Sequence, residues 1–212
     1  MFIELIDALR CTGAHEESWL VGAFDEVRDR DVIRGRLGCP VCRAEFPIEG
    51  GIVHFDVPPR PVAPAVAPPE VPPDETLRLA ALLNLVGAGG TVLLAGSWGA
   101  HAALLEQVVP SRYVIINPDT QVETGPSGSV LLTAGTVPLG AGSVRGAVLD
   151  EATLELLPGA LHALAARGRL VAPASSAVPG DVTELARDDR HWVAERAAAA
   201  TAPVALRARA RE

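Results

Sequence analysis

The sequence predicts an α/β protein: a mostly parallel sheet with crossover helices, closed by an antiparallel hairpin and preceded by a small β-rich unit that holds a metal. Three observations carry this expectation. Residues 75–212 alternate short β-branched runs with helix-compatible stretches, the pattern of parallel strands joined by right-handed crossovers. All three cysteines, Cys11, Cys39 and Cys42, fall at the front of the chain. Between the two regions, residues 57–74 read VPPRPVAPAVAPPEVPPD, with eight prolines and no glycine. The expected layout is therefore a unit at 1–56, a spacer at 57–74 and a larger domain at 75–212.

Composition narrows the class. The chain has 212 residues, 49% of them apolar, which is enough for a packed core. No apolar run approaches the roughly 20 residues of a membrane span. Residues 1–10 carry Glu4 and Asp7 and no basic start, unlike a signal peptide, so a cytoplasmic protein is expected. The net charge is −8 and all 18 basic residues are arginine, as in the protein of a GC-rich genome. That acidic balance argues against broad nucleic-acid binding, though not against a local arginine patch.

The first unit reads as short strands around a metal. Residues 18–23 (SWLVGA) and 31–37 (DVIRGRL) are strand-like, with a charged stretch at 25–31 between them. Residues 44–55 hold short apolar pieces separated by Gly50 and Gly51, as in a small hairpin. Cys39 and Cys42 have knuckle spacing, which lets two thiolates face one ion. Cys11 and His15 can supply the other half, and three sulfurs with one imidazole make a closed, structural zinc site. His54 is the rival for the fourth place, and reduced thiols without metal are the plainer alternative. A unit of this size has a poor core, so a metal staple makes physical sense.

The stretch Cys39-Pro40-Val41-Cys42, Phe46-Pro47-Ile48 and Gly51-Ile52 resembles the second half of a Trm112-like zinc ribbon. The first half departs from that family, which usually has a cysteine pair where this chain has Cys11 and His15. The resemblance implies a small activating partner of methyltransferases, or a ribbon fused in front of one. The proline-rich spacer reads as a stiff, extended linker; a ligand for an SH3-type domain is the alternative. A protein partner is expected through the ribbon or this spacer.

In the larger domain, Asp74 is a candidate N-cap and residues 75–86 a helix, with Gly87 as its stop. Strands follow at 91–95, 113–116, 129–133, 146–149 and 169–172. A helix fits after Gly99 up to Pro110, another over 153–166 with a break at Pro158-Gly159, and a short one over 182–187. Residues 191–196 and 204–208 alternate as a closing hairpin.

This order, together with Val137-Pro138-Leu139 running into Gly146-Ala147-Val148-Leu149-Asp150 and Gly168-Arg169-Leu170-Val171 further on, resembles the class I AdoMet-dependent methyltransferase fold, a Rossmann-like architecture. The resemblance implies a cofactor crevice for S-adenosylmethionine (AdoMet) at the first strand–turn–helix, TVLLAGSWGAHAALL (91–105). Its candidate cofactor-binding residues here are Gly96, Trp98, Gly99, Asn117, Asp119 and Gly135. The acids usual in that family are missing. Leu94 or Ala95 ends the first strand, Asn117 the second, and Ala134-Gly135 follow the third. A neutral acceptor makes weaker hydrogen bonds than an ionised one. Trp98 can stack on a base or plug the crevice. Asp150, with Glu151 beside it, is the weak catalytic candidate at the end of the fourth strand, or simply the N-cap of the next helix. His101 is expected to face solvent. The functional expectation is a methyltransferase-like protein that binds AdoMet, with catalysis doubtful; the alternative is a non-catalytic methyltransferase-fold scaffold. A Rossmann enzyme of another type ranks last, because the G-x-G-x-x-G fingerprint is absent.

Overall fold

The computed structural model describes residues 1–55, 71–122 and 127–198. The first region begins with a 3-10 turn, Ile3–Asp7. Two hairpins follow: β1 (Val21–Arg28) with β2 (Asp31–Gly38), and β3 (Glu45–Glu49) with β4 (Ile52–His54). The stretch expected as a charged segment is mostly strand. Asp29 and Arg30 both adopt positive φ, 47° and 71°, the twist a two-residue hairpin turn requires. β1 carries its charges outward because it is an outer edge of the sheet, and charged edges discourage further pairing.

The second region starts with α1 (Pro73–Leu82), capped in the backbone by Pro72 rather than by Asp74, which lies in the first turn. The helix stops earlier than the glycine at 87. Asn84 takes φ +51°, Asn84 N–H donates to Ala81 O and Leu85 N–H to Ala80 O, a Schellman closure that spends the last carbonyls. Then come β5 (Thr91–Ala95), a 3-10 turn Gly96–His101, α2 (Ala102–Val108), β6 (Arg112–Ile116), β7 (Gly128–Leu132) and β8 (Val144–Val148). The helix expected over 153–166 is a 3-10 turn, Glu151–Leu156, followed by α3 (Leu157–Ala163). Pro158 sits in the first turn of α3, where a missing N–H costs nothing. β9 (Leu164–Pro173), β10 (Val182–Arg187) and β11 (His191–Arg196) are the last elements among the described residues.

Residues 182–187 are thus a strand, not the short helix expected. Six residues are too few to hold a helix alone, whereas pairing with β11 satisfies their backbone. β10 is therefore the hairpin partner of β11; residues 204–208 lie outside the described residues.

The strands form one sheet in the order β1-β2-β3-β4-β7-β6-β5-β8-β9-β11-β10. β4 through β9 run parallel across their contacts, and the hairpins at both ends are antiparallel. Parallel strands need both faces covered, and β5, β6 and β7 each bury four of their five residues. One face packs on α1 and α2 through Leu79, Leu83, Leu94, Leu105 and Ile115. The other packs on the N-terminal turn and α3 through Phe2, Leu5, Leu93, Val114 and Ala160. No helix among the described residues is long and apolar enough to cross a membrane.

The two regions are joined by backbone. β4 pairs in parallel with β7, Ile52 opposite Val130 and His54 opposite Leu132. Arg10 N–H donates to Pro138 O and Gly140 N–H to Ala8 O, while the Arg10 guanidinium fills the space a side chain at Gly140 would need. The Phe2 N–H donates to the buried Ser129 hydroxyl at 3.0 Å. The Met1 ammonium is buried, donating to Val32 O and Gly51 O and pairing with the Asp31 carboxylate at 2.6 Å. Burial lowers the pKa of that amine, and Asp31 works against the shift. Removing one partner of such a pair strands the other charge. Asp31→Asn is expected to cost about 3 kcal/mol or more, read as a lower urea midpoint at unchanged m-value.

Candidate functional site

Cys11 and His15 come from the loop before β1; Cys39 and Cys42 come from the knuckle after β2. The fold brings their ligand atoms together within 4.8 Å of one another. His15 Nε2 lies 3.2 Å from Cys11 Sγ and 3.4 Å from Cys39 Sγ, and Cys11 Sγ lies 3.6 Å from Cys42 Sγ. A tetrahedral zinc with three thiolates and one imidazole requires edges of about 3.5–3.8 Å; the separations here bracket that range, so small side-chain shifts would let the four close on such an ion. His15 Nδ1 stands 2.7 Å from Glu16 O. A carbonyl only accepts, so Nδ1 carries the proton and Nε2 turns its lone pair to the thiols, as second-shell contacts do for metal-bound histidines. Burial opposes ionisation of Cys39, but backbone N–H groups of Cys42 and Val41 outweigh it and bring the thiol to about 6. Burial raises Cys11 to about 11, a bias a divalent cation would reverse. His54 is buried in β4 and is not one of the four.

The second candidate lies at the carboxyl ends of the parallel strands, where α/β folds place ligands. After β5 the chain turns at Gly96, with φ +64°, and winds as a 3-10 turn through His101. Asp150, at the end of β8, is the N-cap of the 3-10 turn that follows, and its Oδ1 accepts the Thr153 hydroxyl at 2.7 Å. Its Oδ2 reaches back across the sheet and accepts both Ser97 N–H at 2.7 Å and the Ser97 hydroxyl at 2.8 Å. A Cβ at Gly96 would run into that carboxylate. The glycine is therefore required for the approach of the chain's own acid.

The remaining predicted residues are placed as follows. Asn117, at φ +48°, donates from Nδ2 to Thr133 O at 2.8 Å and accepts from Thr133 N–H at 2.9 Å. Its amide pins the ends of β6 and β7 together. Gly99 packs so closely on Ile115 and Pro118 that a Cβ would clash with the former. Asp119 and Gly135 are exposed. Trp98 is buried, its ring 5.1 Å from that of His101 and 5.4 Å from that of His191. His101 does not face bulk solvent: only 7% of it is exposed, and its Nδ1 lies 2.9 Å from Thr76 Oγ1. Trp98, His101, Asp150 and Glu151 line a cavity of about 420 Å³ together with Glu75, Arg190 and His191. Sequence reasoning missed Ser97, Thr76, Glu75, Arg190 and His191, which come from three separate places in the chain and share no spacing.

No acid ends β5, the Asn117 amide is committed to Thr133, and the Asp150 carboxylate accepts the Ser97 N–H of the glycine turn.

No protein-family model and no curated protein sequence matches the chain. Solved structures are similar over part of it. The geranyl diphosphate C-methyltransferase of Streptomyces coelicolor A3(2), in complex with Mg2+, geranyl-S-thiolodiphosphate and S-adenosyl-L-homocysteine, is 18% identical over 47% of this chain and 42% of that one, with a TM-score of 0.41. The antibiotic-resistance methyltransferase Kmr is 13% identical over 57% of this chain and 92% of that one, with a TM-score of 0.41. Phosphoethanolamine N-methyltransferase 2 of Haemonchus contortus is 11% identical over 50% of this chain and 30% of that one, with a TM-score of 0.38. The chain thus spans less than half the length of the geranyl diphosphate methyltransferases it resembles. At these identities the likeness is one of fold.

Burial holds His101 and His191 below the ordinary histidine value. A group kept neutral in the fold and free to protonate when unfolded stabilises the protein above about pH 6.5, and that stability is lost as pH falls below it. The melting temperature is expected to drop between pH 7.5 and pH 5.5. The drop should be smaller in His101→Gln, measured by circular dichroism; an equal drop would count against the buried neutral imidazole.

Proposed function

We propose that the chain is a non-catalytic methyltransferase-fold protein, fused to a structural zinc ribbon of the Trm112-like kind and acting as an interaction module. The observation that carries this reading is the Asp150 carboxylate seated over Gly96. In a working cofactor loop the glycine turn leaves backbone N–H groups for the ligand. Here Ser97 N–H is held by Asp150 at 2.7 Å. Displacing it would expose a carboxylate to whatever anionic end the ligand brought. Asn117 supports the same reading, since turning its amide to a ribose would break two hydrogen bonds that join β6 to β7.

The ribbon supplies the surface for a protein partner. Trp19, Val21 and Val41 are 58%, 63% and 54% exposed and supply apolar contact area there. The proline-rich spacer, mostly outside the described residues, is the second contact proposed. The cluster of Cys11, His15, Cys39 and Cys42 has four protein ligands and no open position, the mark of a structural zinc.

Two measurements test these statements. Calorimetric titration of the full chain is expected to show no AdoMet binding up to about 1 mM; micromolar binding would overturn the non-catalytic reading. Metal analysis is expected to find about one zinc per chain, lost in Cys39→Ser and kept in His54→Gln. Zinc retained by the first variant, or lost from the second while it remains folded, would sink the assignment.

A further inference from the structure

Outside the Cys/His cluster, four charged and two imidazole side chains converge on the cavity of about 420 Å³ beside Trp98. Its wall holds three carboxylates, Glu75, Asp150 and Glu151, against one guanidinium, Arg190. Arg190 is already paired with Glu75 at 3.2 Å. His101 and His191, kept neutral by burial, add no charge to offset the acids.

The hydrogen-bonding inventory is equally one-sided. Thr76 Oγ1 lies 2.9 Å from His101 Nδ1 and 3.4 Å from Pro72 O. The carbonyl can only accept, so both contacts are satisfied when Thr76 donates to Pro72 and His101 Nδ1–H donates to Thr76. That tautomer leaves Nε2 as an acceptor that no hydrogen bond reaches among the described residues, on a residue that lines the cavity. His191 Nδ1 is buried and also lacks a partner. Glu151 uses Oε1 for the Ser175 hydroxyl at 2.7 Å, which leaves Oε2 open. Val71, Pro72 and the Trp98 ring supply the apolar side.

Resting on the reading that AdoMet does not claim this space, we propose that the cavity binds a small organic ammonium ion. Its N–H groups donate to His101 Nε2 and the Glu151 carboxylate, and its alkyl part lies against Trp98 and Pro72. A cation over the indole gains further attraction. An anion meets a net negative wall whose one guanidinium is already paired.

The test uses the full-length protein and 1,4-diaminobutane as the probe at pH 7.5, followed by calorimetry and tryptophan fluorescence, with sodium acetate as the anionic control. Saturable binding at about 1 mM or tighter is expected, with no response to acetate. Glu151→Gln should weaken it at least about tenfold, while Val86→Thr, at an exposed position outside the cavity, should leave it unchanged. No saturable binding, equal affinity in Glu151→Gln, or an equal response to acetate would each overturn the proposal. A parallel AdoMet titration keeps the two readings apart. AdoMet binding alongside intact diamine binding removes only the closed-crevice reading, and silence toward both ligands removes only the ammonium site.

Discussion

The pairing of β4 with β7 is the contact on which the rest of the structure depends. Three residues, Ile52–His54, lie parallel to Val130–Leu132 and turn two small units into a single sheet. A parallel edge such as β7 must be covered if its polar backbone is not to remain open to another chain. The ribbon covers it in cis. The hairpin of β1 and β2 then becomes the outer edge, and it carries charges and a bulge around Phe24 and Glu26, both of which discourage further pairing.

That arrangement ties the Cys11, His15, Cys39 and Cys42 cluster to the larger domain. Cys11 directly follows Arg10, whose N–H is bonded to Pro138 O and whose guanidinium packs against Gly140. The segment after Gly140 runs into β8 and ends at Asp150. Disorder in the loop that carries Cys11 would therefore strip backbone partners from the segment at Pro138 and Gly140 that precedes β8. Metal binding contributes folding free energy in small units of this kind, and a metal held by this cluster would share that contribution with the sheet.

At the crevice, a cofactor-loop sequence supports a different use of the same geometry. Gly96 in the left-handed region allows a close approach, but the group that approaches is the chain's own Asp150. Asp150 satisfies Ser97 and Thr153 together, bracing the ends of β5 and β8. Asn117 does the same for β6 and β7. Polar residues at the strand ends thus hold the scaffold together, and what remains open is the acidic cavity beside Trp98.

The sequence alone determined what rests on local periodicity and spacing. The β-branched runs marked β5 through β8, and the Gly50-Gly51 pair marked the β3–β4 turn, because side-chain alternation and positive φ are local properties. Cys39 and Cys42 were legible as a pair for the same reason, and Cys11 with His15 as its complement. Tertiary structure decided the rest. Residues 182–187 became a strand because β11 offered a partner, and α1 ended at Asn84 because Leu85 and Asn84 could close on Ala80 and Ala81 before Gly87 was reached. His101 is buried by Trp98, three residues back on the same 3-10 turn, and by Thr76, which lies 25 residues away and shares no linear pattern with it. Above all, whether Asp150 and Asn117 faced a ligand or the protein depended on which backbone groups lay opposite. Hydrogen bonds across 53 and 16 residues set that outcome, and they exist only once the strands are side by side.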